Sequence, residues 1–229
     1  MGTLRIVSPA HRVFADRLEA GTLLAAELED YAPRRPVVLG VPRGGVVVAD
    51  AIARALHAQL DVVLARKIGS PSNSEVAVGA VSEDGGLFLN DLMVSTLKVP
   101  PEYIERRREA ATRQLGELSA MYRRLWPRQG LTARTVIVAD DGAATGATMQ
   151  AALWTVSQEH PEELLCALPA APDDTLDKLA LYADHTICIC APRAFEAVSQ
   201  FYRRFEPVED ADVMSLLRSG APAAQHDEP

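Results

Sequence analysis

The sequence predicts an α/β fold whose core is a parallel sheet with helices on both faces. Three observations carry this. Short runs at 36–41, 61–65 and 135–139 are apolar and rich in valine; the segments between them have helical spacing; and 48% of the 229 residues are hydrophobic. A strand covered on one face alternates apolar with polar residues, whereas one covered on both reads as a continuous apolar run. Strands alternating with helices mark a parallel sheet, because parallel neighbours need a crossover between them.

Taken in order, residues 12–30 (RVFADRLEAGTLLAAELED) predict an amphipathic helix, interrupted or restarted at Gly21. The run 36–41 is the first buried strand, bounded by prolines. PRGG follows, and helical spacing continues over 46–60. The second strand, 61–65, ends in Arg66 and Lys67. Residues 68–74 (IGSPSNS) have loop chemistry throughout. A strand-like run resumes over 75–81, and Gly85-Gly86 suggests a turn into 87–90. Pro100 and Pro101 open a long charged helix over 102–125, since proline is tolerated in a first turn. It carries Arg106, Arg107, Arg108, Arg113, Arg123 and Arg124, interleaved with glutamates, and reads as a solvated or subunit-facing surface. After a linker at 127–132 come strand 135–139, helix 145–157, strand 163–168, helix 174–182 and strand 186–191. The end, SGAPAAQHDEP, reads as a disordered tail.

Charge and cysteine content narrow the function class. A net charge of −8 argues against nucleic acid as a partner, because polyanion binding would need a basic patch working against the global sign. Three cysteines are too few for a disulfide framework, so a reducing cytoplasm is the expected compartment. No run approaches the ~18 apolar residues of a membrane span, and the first residues lack the apolar core of a signal peptide. Cys188 and Cys190 share a strand face without histidines at ligand spacing, and read as small buried hydrophobes rather than metal ligands.

The chemistry lies in residues 136–148, VIVADDGAATGAT. An apolar strand delivers Asp140 and Asp141 to its C-terminal end, where open α/β sheets place their ligands. Side chains alternate along a strand, so the two carboxylates diverge and make a poor proton-sharing pair. One can face a ligand while the other orients the loop or a metal-bound water. Gly142, Ala143, Ala144, Gly146 and Ala147 let the backbone approach a ligand closely, and N–H groups at a helix start favour an anion. Thr145 and Thr148 add hydroxyl donors. Together these describe a cradle for a sugar phosphate. An ordinary strand–turn–helix with a capping residue is the competing reading. No lysine follows the second glycine, so the turn is not a Walker A loop, and its glycine spacing is not GxGxxG.

This segment resembles the PRPP-binding signature of type I phosphoribosyltransferases. With VLGVPRGGVVVADAIARAL and DVVLARKIGSPSNSEVAVGAV it is similar to a family of stand-alone phosphoribosyltransferases, in order over about residues 14–217. Ala143 stands where a larger aliphatic residue is usual. The resemblance implies a phosphoribosyltransferase-like (Rossmann-like) core at about 36–192. The N- and C-terminal segments would form a small hood, all within one domain over 1–218.

The resemblance also implies roles. Asp140 and Asp141 would contact the ribose hydroxyls, with Gly142 and Ala143 beside them. The turn Ala144, Thr145, Gly146, Ala147 and Thr148 would hold the 5′-phosphate. Arg43, Gly44 and Gly45 would form the pyrophosphate loop, which suits the forked donor of arginine; PRGG alone reads equally as a strand-to-helix turn. Arg66 and Lys67 would act in catalysis, with residues 68–75 as a lid, although two solvated surface cations is the plain alternative. Mg²⁺ would be held mainly through PRPP and water. The reaction would transfer phosphoribose to a nitrogen acceptor, releasing pyrophosphate; a PRPP sensor without turnover is the alternative. Pairing into homodimers is common among relatives. The acceptor is not named: residues 164–172 (LLCALPAAP) lack the lysine and aromatic expected after this strand in a 6-oxopurine enzyme. Phe195, Phe201, Tyr202 and Phe205 have spacing that fits core packing better than a base-stacking hood.

Overall fold

The computed structural model describes residues 2–8, 11–124 and 126–219. Six strands form one sheet in the order β1-β9-β8-β7-β2-β3, with every neighbouring pair parallel. They are β1 (Thr3–Ser8), β2 (Val37–Gly40), β3 (Gln59–Val62), β7 (Thr135–Ala139), β8 (Glu163–Ala170) and β9 (His185–Cys190). The predicted parallel α/β core is therefore present.

Alternation along the buried strands explains their unbroken apolar sequence. Val38, Ile137, Leu165 and Ile187 join one core with helices α1 (Arg17–Glu27) and α2 (Gly44–Ala55). Val37, Val136, Val138, Leu164 and Cys166 join the other with α5 (Ala147–Ser157) and α6 (Asp173–Leu179). Both layers need large side chains from the same strand, so residues 37–40 and 136–139 include no polar side chain. A fully buried side chain such as Ile137 contributes ~1.5–3 kcal/mol, and truncating it to alanine costs ~2–5 kcal/mol. Cys166, Cys188 and Cys190 are buried free thiols, in line with the reading of the latter two as small hydrophobes.

Residues 65–124 build a smaller lobe. Strands β4 (Ala65–Gly69), β5 (Ala77–Ser82) and β6 (Leu87–Leu89) form an antiparallel sheet, joined by α3 (Asp91–Thr96) and α4 (Pro101–Arg123). It packs on α5 through Ala77, Ala80, Ala151 and Trp154, with Phe88 against the Trp154 ring at 4.7 Å. Arg123, at the end of α4, anchors the lobe to the main sheet. It donates to the buried Asp61 of β3 at 2.5 Å and to Glu83 at 3.0 Å.

Several boundaries differ from expectation for identifiable reasons. Gly21 does not interrupt α1, which is continuous from Arg17 to Glu27. A Cβ there would lie 2.6 Å from that of Ala51, so the glycine lets α1 and α2 cross closely. The second strand is two: β3 stops at Val62, and Arg66 and Lys67 belong to β4 of the small lobe. Helix α2 ends at Ala55 rather than residue 60, with His57 in a left-handed turn at φ 51. Strand β1, helix α3 and helix α7 (Asp210–Ser219) have no counterpart in the sequence reading. The expected tail at 219–229 begins inside α7 at Ser219, and its remainder lies outside the described residues.

Candidate functional site

Strands β2 and β7 are neighbours, with Gly40 level with Ala139, so the loops that follow them emerge side by side. From this pair the chain order runs outward in opposite directions, to β3 on one side and to β8 and β9 on the other, with the first strand, β1, added at the edge beside β9. Such a reversal opens a crevice beyond the strand ends, the usual ligand position in open α/β sheets. PRGG leaves β2 and Asp140-Asp141 leaves β7, both into this crevice.

The two loops touch through their glycines. A Cβ on Gly44 would overlap the Asp141 carboxylate, and one on Gly45 would lie 2.8 Å from Asp140 Oδ1 and 2.8 Å from Ala139 O. Each glycine therefore yields space to one aspartate, and any larger residue would push the loops apart. Val41 N–H donates to Ala139 O at 2.9 Å, and the Pro42–Arg43 peptide is cis. The Arg43 side chain turns outward to Glu209 at 3.0 Å.

The two carboxyl groups do not diverge as strand alternation predicts: β7 ends at Ala139, both aspartates lie in the loop beyond it, and their side chains are in hydrogen-bonding contact. Asp140 Oδ1 accepts the Asp141 N–H at 2.8 Å, and its side chain forms no ion pair among the described residues. Asp141 Oδ2 accepts from Arg17 Nε at 2.7 Å, a pair whose side chains are only 15% and 11% exposed. Burial pushes the Asp140 carboxyl well above its usual range, and the Asp141 charge adds to the push. Burial also raises Asp141, opposed by the hydrogen bond and charge of Arg17.

Arg17 carries no signal of its own in the sequence, yet it organises this side of the site. It is the first residue of α1, whose start is capped by Asp16 Oδ1 accepting Glu19 N–H at 3.0 Å. Its guanidinium lies 3.8 Å from the centroid of the Phe205 ring and donates to Glu206 O at 2.9 Å. Tyr202 stacks on Phe205 at 4.9 Å and donates its hydroxyl to Asp141 O at 2.6 Å. Phe201 is buried against Phe195. These aromatics are thus spent on packing and on bracing Asp141, and come from a short 3-10 turn (Val198–Phe201) and its flank. Only an arginine next to a capping aspartate hints at Arg17, and that pattern is common.

The turn after the aspartates is held by its neighbours. Gly142 and Ala143 are buried, and Ala143 N–H donates to Ala170 O at 3.0 Å. Thr175 Oγ1 donates to Ala144 O at 2.8 Å. Gly146, at φ 72, starts α5 in the left-handed region, where a Cβ would be strained. Ala144, Thr145 and Thr148 are exposed, while Gly146 and Ala147 are buried. Helix α5 therefore begins at Ala147, two residues after the expected start, because Gly146 supplies the turn.

The small lobe reaches this turn through Glu75. Its Oε2 accepts from Thr145 Oγ1 at 3.0 Å and its Oε1 from Lys67 Nζ at 2.9 Å. These contacts, Lys67 first, hold the Glu75 carboxyl below its ordinary value. Lys67 and the predicted lid are thereby joined to the turn after the aspartates, whereas Arg66 is exposed and outside that linkage.

No group of three or more His, Cys, Asp or Glu among the described residues is placed to hold a metal by itself. The donor set does suit a hard cation that keeps most of its water. Asp140 offers a half-buried carboxylate without a cationic partner, and a divalent ion would offset the burial that raises it.

A parallel α/β sheet with two carboxylates and a small-residue turn at its switch point is the architecture in which a family can now be assigned. The chain matches the family model "Phosphoribosyl transferase domain" over residues 15–205 and belongs to that family. It is 38% identical over 206 residues to proteins of two Mycobacterium tuberculosis strains, CDC 1551 / Oshkosh and H37Rv, each described as "Putative phosphoribosyl transferase". The matched region is 90% of this chain but 46% of each relative, so the chain spans about half the length of the curated relatives it matches. The crystal structure of TT1426 from Thermus thermophilus superposes with a TM-score of 0.86 at 41% identity, covering 92% of this chain and all of that one. Among the described residues, no helix is long and apolar enough to cross a membrane.

Proposed function

We propose that residues 1–218 form one phosphoribosyltransferase domain that binds PRPP with Mg²⁺, transfers its phosphoribosyl group to a nitrogen acceptor and releases pyrophosphate. The observation that carries this is the meeting of Gly44 and Gly45 with Asp141 and Asp140, which sets a glycine loop and two carboxylates against one crevice beside the phosphate turn.

Each element has a task in that reaction. The 5′-phosphate sits on the turn Ala144, Thr145, Gly146, Ala147 and Thr148, held by N–H groups at the start of α5 and by threonine hydroxyls. Asp140 and Asp141 take the ribose hydroxyls, with Arg17 and Tyr202 fixing Asp141. Arg43 swings from Glu209, an exposed and therefore weak pair, to the pyrophosphate. Lys67 leaves Glu75 for the same anion, with Arg66 beside it. Mg²⁺, when bound through PRPP and water near Asp140, neutralises charge on the leaving group. The acceptor displaces pyrophosphate at C1 of the ribose, and the protein supplies positioning, charge neutralisation and exclusion of water.

Calorimetric titration with PRPP and Mg²⁺ tests the donor site. The parent binds, and the Asp140→Asn, Asp141→Asn double variant does not; equal binding by both refutes the assignment. Pyrophosphate release across a panel of bases and amines tests turnover. PRPP binding without release from any of them favours a PRPP sensor.

A further inference from the structure

A cleft of about 520 Å³ opens at the other edge of the main sheet from the crevice that holds Asp140 and Asp141. Its wall includes Gly2, Leu164 and Asp184, at or just before the starts of β1, β8 and β9, whereas the crevice lies beyond the strand ends. Three aromatic rings from three elements meet in it. Trp154 stands two turns of α5 beyond Ala147, about 10 Å along the helix. Phe88 of β6 packs at a tilt against its ring, and Tyr182, which follows α6, meets it edge-on at 5.3 Å. Clefts of about 300–1,000 Å³ with aromatic walls and a few polar groups are the usual form of small-molecule sites.

The polar groups of this cleft lack partners. The Trp154 indole N–H is buried and has no acceptor among the described residues. The Tyr182 hydroxyl and the His160 ring, which also line the cleft, likewise form no hydrogen bond among the described residues. Asp184 Oδ2 accepts Leu164 N–H at 2.8 Å, which leaves Oδ1 to receive another donor. A buried donor without an acceptor is costly, so an orphaned indole N–H beside a cleft points to a group that arrives with a ligand. No arginine or lysine among the described residues lines the cleft, so an anion would meet no cation there. A cation would leave the indole and phenol donors unanswered.

We infer that this cleft binds a neutral, planar nitrogen heterocycle that both accepts and donates hydrogen bonds. Its ring packs on Phe88 and Tyr182, its acceptor atoms take the Trp154 and Tyr182 protons, and its N–H faces Asp184. The site is separate from the one that the proposed function uses, and failure of PRPP to bind leaves it standing.

The probe is quinazolinone, a neutral bicycle with a carbonyl, a ring nitrogen and an N–H, titrated into the full chain by calorimetry and by proton–nitrogen NMR. The chain has two tryptophans, and the Trp126 indole already donates to Leu60 O at 3.1 Å. The probe is expected to move the Trp154 indole signal, the one missing from Trp154→Phe, and to leave that of Trp126 in place. Tyr182→Ala should weaken binding by about tenfold and His160→Ala by about threefold, with PRPP affinity unchanged in both. His160 is exposed and Tyr182 half-buried, and thermal unfolding checks that both variants fold. No binding, or equal binding by the parent and both variants, overturns the inference. So does equal binding of naphthalene, which lacks polar atoms, or of choline, a cation. Light scattering that finds a dimer dissociated by Tyr182→Ala also overturns it, since a second copy then covers the cleft.

Discussion

Arg17 and Asp141, 124 positions apart in the chain, meet in an ion pair of 2.7 Å at the edge of the crevice. The pair is largely shielded from water, so loss of one partner leaves the other charge without compensation. Arg17→Ala is expected to lower stability by about 3 kcal/mol in urea unfolding, with Arg17→Lys recovering only part of it. Lysine keeps the charge but cannot reach Asp141 Oδ2 and Glu206 O with a rigid fork.

Asp140 gives a pH signature. Its folded value is raised above the ordinary 3.8 by burial and by Asp141. A group raised in this way contributes stability that is fully present below the ordinary value and is lost as pH rises through the folded one. Asp140→Asn cannot ionise and still offers an oxygen to the Asp141 N–H. Its stability relative to the parent should increase as pH rises from below 3.8 to neutral, while PRPP binding is lost. Parallel denaturation curves at every pH would contradict this.

Two glycines predict opposite outcomes. Gly45→Ala drives a Cβ against Ala139 O and Asp140 and should cost about 1–3 kcal/mol, with weaker PRPP binding. Gly116→Ala, in α4 with open space around it, should stabilise by about 0.5–1 kcal/mol through helix propensity alone. Thermal melts of the two variants read both effects.

Glu75 competes for groups that a phosphate would use. Glu75→Gln removes the negative charge beside Thr145 and frees Lys67, so PRPP affinity should rise by about threefold to tenfold. The side chain is 55% exposed, and stability should change by no more than about 0.5 kcal/mol. Unchanged or weaker affinity would show that the carboxylate does not oppose the ligand.

The central strands and the turn were legible because their causes are local. Valine runs that must fill two cores admit no polar residue, and Asp140 to Thr148 carry their chemistry in consecutive positions. Strand β1 was not legible: it is a short edge strand beside β9, and Val7 and Ser8 break the alternation of apolar and polar residues that would mark it. The break after Val62 was hidden because Val62, Val63, Leu64 and Ala65 form one apolar run, although β3 of the main sheet ends at its first residue and β4 of the small lobe begins at its last. The bracing contacts of Arg17, Tyr202 and Glu75 were illegible for a common reason. They depend on distant chain segments meeting, which no spacing in the sequence encodes.

Phe14 and Phe201–Tyr202 lie against each other although they come from near opposite ends of the domain: Phe14 N–H donates to Phe201 O at 2.8 Å, and Arg203 N–H to Phe14 O at 2.9 Å. Asp141 therefore acquires its full set of supports only when both segments are present. During synthesis on a ribosome, the sheet can begin to assemble as its strands emerge, yet the carboxylate stays unbraced until Tyr202 has left the exit tunnel. Competence for the ligand should consequently arrive as a late, abrupt step in the life of the nascent chain.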